Sequence, residues 1–77
     1  MIKVLLFAGL QEQAGLAQLE WAYEPMNVGE LKTRIKAVYP QLRLDYAMAA
    51  VNEQFAPASL PIRDGDTVAL LPPVSGG

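Results

Sequence analysis

A chain of 77 residues with no cysteine and no histidine must hold its fold together by packing alone. Disulfides, thiolate ligation and iron–sulfur sites are excluded, and a structural zinc loses its usual donors. At this length, burial of apolar surface barely offsets the entropy of the chain. The composition meets that demand, because 52% of the residues are hydrophobic. So small a body cannot hide them all, and an exposed apolar face is expected as well. The same two absences remove histidine acid–base chemistry and any Ser-His-Asp triad, leaving Ser59 and Ser75 without an activating base. The net charge of −2 is not the basic balance that nucleic acid calls for. No run of like charge marks a membrane-binding segment. The longest apolar run, Val4 to Leu10, is too short to cross a bilayer and reads as a buried first strand. A cytoplasmic protein is expected.

The hydrophobic pattern predicts the elements. In "IKVLLF", Ile2, Val4 and Leu6 share one face, while Lys3, Leu5 and Phe7 share the other. Lysine is rarely fully buried, so the Lys3 face is the outer one and carries Leu5 and Phe7 with it. A helical turn fits between Gly9 and Gly15. "QLEWAYE" predicts a strand with Leu19, Trp21 and Tyr23 inward, ended by Pro25. Asn27 followed by Glu30 forms a capping-box variant, and Val28, Leu31, Ile35 and Val38 make one helical stripe. Lys32, Arg34 and Lys36 lie off that stripe as its solvated side, and Pro40 stops the helix near Tyr39. After an irregular "QLRLDY", the stretch "AMAAVNEQFA" reads as a strand, a turn at Asn52-Glu53 and a short return. Pro57 and Pro61 restrict the next segment to loop or edge strand. "RDGD" is a turn with Gly65 at positive φ, and Thr67–Leu71 is the last strand, with Val68 and Leu70 on one side. Early and late strands around one main helix predict an α+β fold, a mixed sheet with the helix across one face.

Few residues are candidates for chemistry. Asp64 and Asp66 lack the further ligands of a calcium loop and read as turn residues; Glu12 and Glu53 read as solvated. No metal site is expected. Leu5, Phe7, Ala69 and Leu71 would form one outer patch, a partner surface, if the first and last strands lie side by side. The ending "LLPPVSGG" stands apart from the body, so residues 1–71 are read as the domain and 72–77 as an extended tail. Pro72 and Pro73 favour a polyproline-like stalk, and Gly76 and Gly77 remove every Cβ from its tip. Six residues reach about 20 Å, enough to thread a narrow channel. The terminal carboxylate is ionised at neutral pH. It can attack the α-phosphate of ATP if another protein supplies magnesium and cations, giving an acyl-adenylate open to sulfur or amine nucleophiles.

With "MIKVLLFAGL" at the start, "AVN" at 50–52 and above all "DGDTVALLPPVSGG" at 64–77, the chain resembles the ubiquitin-like β-grasp sulfur carriers, and within them the small subunits of molybdopterin synthase. The resemblance implies a β-grasp domain with a flexible Gly-Gly tail and no cofactor of its own. It implies adenylation of Gly77 by an E1-like enzyme using ATP and magnesium, then conversion to a thiocarboxylate by a persulfide donor. The tail, with Pro72, Pro73, Val74, Ser75 and Gly76 setting reach and fit, would enter the large synthase subunit in a heterotetramer. There sulfur would pass to cyclic pyranopterin monophosphate. The chain would be a carrier and not an enzyme alone. Where the family usually has Arg-Glu after the first strand, this chain has Gln11-Glu12, so that arginine's contacts are not carried over. Sulfur carriers for thiamine thiazole, cysteine or transfer-RNA thiolation share the same ending. A protein modifier and an interaction module with an unactivated tail are the readings from outside that class.

Overall fold

The structure, a computed structural model, describes residues 1–72; residues 73–77, which include most of the predicted tail, lie outside the described residues. The elements run in the order β1 (Ile2–Leu6), α1 (Gly9–Ala14), β2 (Gln18–Trp21), β3 (Met26–Asn27), α2 (Val28–Val38), β4 (Met48–Val51), β5 (Gln54–Phe55), β6 (Pro61–Ile62) and β7 (Thr67–Leu71). Five strands form one sheet in the order β2-β1-β7-β4-β5. The central pair, β1 and β7, is parallel and the other neighbours are antiparallel. The sheet is therefore mixed, as predicted. β3 and β6 form a separate two-stranded ladder, Met26 opposite Ile62. That ladder is absent from the sequence reading, because two-residue strands carry no periodicity to detect.

Strand alternation decides which side of the sheet is the core. Ile2, Val4 and Leu6 of β1 are buried, as are Val68 and Leu70 of β7 and Ala49 and Val51 of β4. They join one cluster with Val28, Leu31 and Ile35 of α2, so the helix covers the inner face. Each large side chain buried there contributes about 1.5–3 kcal/mol. The start of α2 follows the predicted chemistry. The Asn27 side chain accepts from the Glu30 amide at 2.8 Å, and the Glu30 carboxylate accepts from the Asn27 amide at 3.0 Å. The helix ends at Val38 before Pro40. Asn52 and Glu53 both have positive φ between paired Val51 and Gln54, the requirement of a two-residue type I′ hairpin turn. Gly65 takes φ 91° in the turn before β7.

Four expectations need correction. Val38 is not on the buried stripe: it is 60% exposed, because by the last residue of α2 the helix has passed the edge of the surface it covers. Tyr23 lies beyond the end of β2 and is exposed, since pairing with β1 ends at Ile2 opposite Trp21. The stretch read as irregular contributes Leu42 and Leu44 to the core; it lacks a period because no regular element carries them. The helix cations are not merely solvated. Lys32 Nζ donates to the Ala47 carbonyl and Lys36 Nζ to the Leu42 carbonyl, both at 2.6 Å, and Arg34 pairs with Glu24. The two lysines thus tie down the α2–β4 connection that delivers Leu42 and Leu44.

Two changes test this account by urea denaturation. Leu42→Ala should destabilise the fold by about 2–5 kcal/mol, like any leucine removed from a closed core. Glu53→Gly should stabilise it by about 0.5–1 kcal/mol, because the turn's positive φ is free of strain only for glycine.

Candidate functional site

The parallel pairing of β1 with β7 settles what the outer face presents. Register partners point to the same side of a sheet, so Leu5 stands beside Ala69. The row continues through Ala69 opposite Ala50 and Ala50 opposite Phe55, and on the other side through Leu5 opposite Gln18. One row thus crosses all five strands and is apolar over four of them. The next row places Leu71 opposite Met48. Phe7, one residue past β1, still donates its amide to the Leu70 carbonyl at 3.3 Å. In the opposite direction the face turns polar, with Lys3 between Glu20 and Thr67.

The four residues predicted to share an outer patch are thus brought together, though unequally. Leu5, Ala69 and Leu71 are half-buried by their neighbours, while Phe7 is 43% exposed. Sequence reasoning missed three others: Met48, Ala50 and Phe55. Phe55 is 71% exposed, a large aromatic ring left in water on the edge strand. Its signal was present in the pattern. Met48 and Ala50 alternate with the buried Ala49 and Val51, and a two-residue turn sets Phe55 directly across from Ala50. What the pattern lacked was knowledge that β4 pairs with β7.

The apolar end of this face is also where the chain leaves the sheet. Leu71 is the last residue of β7 and Pro72 the first beyond it. Pro72 lines a groove of about 620 Å³ together with Gly9, Leu10, Lys36, Arg43 and Tyr46. The remaining predicted tail positions, Pro73, Val74, Ser75, Gly76 and Gly77, lie outside the described residues. No polar or charged side chain is buried among the described residues, and no three acids gather there as a metal would need. Asp66 is occupied by the turn: its carboxylate accepts from the Arg63 amide at 2.8 Å and the Asn52 side chain at 3.0 Å. Among the described residues no helix is long and apolar enough to cross a membrane. What this body offers is a surface, next to the exit of a tail.

A mixed sheet with its first and last strands adjacent at the centre, and one long helix across a single face, is the ubiquitin-like β-grasp architecture. SAMP1 from Haloferax volcanii, a small archaeal modifier protein, shares it at a TM-score of 0.85 and 29% identity, covering 99% of this chain and 98% of that one. Residues 4–77 match the ThiS family, and the chain belongs to that family. It is 37% identical, over 81 aligned positions spanning all of both chains, to the molybdopterin synthase sulfur carrier subunit of Escherichia coli (strain K12). A chain in the protein–protein complex of subunits 1 and 2 of molybdopterin-converting factor from Helicobacter pylori 26695 is similar at a TM-score of 0.69 and 26% identity. That match covers 99% of this chain and 97% of that one.

The two faces of the sheet should respond oppositely to a polar substitution. Phe55→Ser should leave the thermal midpoint nearly unchanged, since an exposed site away from the core shifts stability by only about 0.5 kcal/mol. Val68→Ser, at a fully buried position, should lower it steeply in the same melting experiment.

Proposed function

We propose that this chain is the sulfur-carrying small subunit of a cytoplasmic molybdopterin synthase. The observation that carries the reading is its end-to-end similarity to a molybdopterin synthase sulfur carrier subunit. Two features of the chain support it. The ending Pro-Pro-Val-Ser-Gly-Gly comes directly after β7, and the apolar outer face runs up to that exit. The chain contains no cysteine to carry sulfur, so its terminal carboxyl group is the natural carrier.

In this reading the Gly77 carboxylate attacks the α-phosphate of ATP in the active site of an E1-like enzyme, which supplies magnesium. Pyrophosphate leaves and a mixed carboxylic–phosphoric anhydride remains. A persulfide sulfur on a donor protein then displaces AMP, and a second thiol cleaves the resulting acyl disulfide to release the thiocarboxylate. The β-grasp body docks by its outer face, with Leu5, Phe7, Ala69, Leu71, Met48 and Phe55 excluding water from the contact. Pro72 and Pro73 keep the stalk extended, Val74 and Ser75 set its fit, and Gly76 lets the tip pass where a Cβ would not. In the large subunit, which supplies the catalytic side chains, sulfur passes to cyclic pyranopterin monophosphate. A heterotetramer with two carriers accounts for both sulfurs of the dithiolene. The complex of subunits 1 and 2 of molybdopterin-converting factor from Helicobacter pylori supports a large-subunit partner.

One competing reading has an observation in its favour. The likeness to a small archaeal modifier protein fits a terminus that acylates lysines of other proteins. Intact-mass measurement separates the two. After incubation with ATP-magnesium, an E1-like enzyme and a persulfide source, the carrier reading expects a gain equal to sulfur replacing one oxygen, absent when Gly77 is deleted. Heavier conjugates without that gain would favour the modifier. A full gain in the Gly77 deletion would overturn the role of the terminus. Adding the large subunit and the pterin precursor then tests the pathway: loss of the gained mass as molybdopterin forms is the expected result.

A further inference from the structure

Two local rules are broken at one residue, Ala8. Its φ of 51° and ψ of −127° fall outside the regions open to an L-residue without strain. As the residue before α1 it also provides no side-chain cap. The Leu10 amide donates to the Phe7 carbonyl at 3.1 Å, so Phe7–Leu10 is a type II′ turn with Ala8 at the first central position. Glycine is the ordinary choice there. The chain has a glycine one position late: Gly9 is not among the residues with positive φ, and a Cβ added to it would meet nothing within 4 Å. Exchanging the two residues would relieve the strain with no change in composition. The other non-glycine residues with positive φ, Asn52 and Glu53, are the central pair of a hairpin turn that demands it. No such demand explains an alanine at position 8.

Strain of this kind persists only where the surrounding structure holds it, and it collects at functional sites. Phe7, which precedes Ala8, is held at both ends of its backbone: its amide donates to Leu70 and its carbonyl accepts from Leu10. Its ring is left 43% exposed at the apolar end of the outer face. We infer that Ala8 is a positioning residue, whose side chain confines the turn to a single conformation and so presents the Phe7 ring ready for the docking partner. This inference rests on the docking role given to the outer face in the proposed function. Glycine at position 8 would keep this turn accessible but open many others. The ring would then have to be ordered at the moment of binding, with a loss of affinity.

The A8G/G9A exchange tests this, measured beside the parent chain and Phe7→Ser by calorimetric titration into the purified large subunit of molybdopterin synthase. The exchange should melt about 5 °C higher yet bind about three- to tenfold more weakly, with faster hydrogen exchange at the Phe7 amide. Phe7→Ser should bind more weakly still. A merely structural role for Ala8 would not move stability and affinity in opposite directions. If the exchange melts higher and binds like the parent while Phe7→Ser is impaired, the positioning role is overturned and the docking face stands. A midpoint that fails to rise would mean that no strain is held at Ala8, which also overturns the inference. If Phe7→Ser binds like the parent, or the parent does not bind at all, the docking reading itself falls and the inference with it.

Discussion

The parallel pairing of β1 with β7 is the contact on which the rest of this molecule depends. It joins the two ends of the sequence, Lys3 to Thr67 and Leu6 to Leu70, across nearly the whole chain. Such closure carries the largest loop-entropy cost in the fold, offset by burying Ile2, Val4, Leu6, Val68 and Leu70 in one place. Everything between β1 and β7 packs around that seam. β2 adds to the outer side of β1, β4 and β5 extend from β7, and α2 closes the inner face. The seam also brings Leu5 next to Ala69 and Leu71 next to the exit of the tail. One pairing therefore supplies both the stability of the body and the surface at the tail's root.

The sheet divides its labour by face. The inner face is filled by aliphatic side chains with no buried polar group among the described residues. Polar chemistry is kept at the edges of the fold, where it secures connections. The Asn27–Glu30 box starts α2, Lys32 and Lys36 hold the carbonyls of the α2–β4 segment, and Asp66 with Asn52 locks the β4–β5 turn to the turn before β7. The outer face is left with alanines, a methionine and two exposed phenylalanines. A domain this short has little stability to spare, so leaving aromatic rings in water makes physical sense only where another surface covers them. The strained Ala8 turn belongs to the same logic, since it sits beside one of those rings.

Much of the fold was legible from local pattern, and the reasons are specific. The capped helix was readable because Asn27, Glu30 and Pro40 are punctuation with a local mechanism. The hairpin at Asn52-Glu53 and the turn at Gly65 were readable for the same reason. The α+β architecture followed from two alternating segments flanking one helical stripe. The misreadings fall where local pattern stops being informative. Val38 continues the 3.6-residue period of α2, but nothing in the period says where the covered surface ends. Leu42 and Leu44 sit in a segment without a period. Phe55 was placed on a return strand, yet its face is decided by what β4 pairs with.

The sequence by itself determined the local conformations and the chemistry available: strands, one capped helix, a chain without thiol or imidazole, and a Pro-Pro stalk ending in Gly-Gly. These come from interactions within a few residues, or from the mere presence or absence of a side chain. Tertiary structure alone decided which strands meet, and so which apolar residues became core and which were left outside. Leu5 and Leu6 are the same residue type one position apart. Pairing with β7 made Leu6 part of the interior and Leu5 part of a face that leads to the tail. The difference lies in register, which depends on contacts between segments more than sixty residues apart and cannot be written in either segment alone.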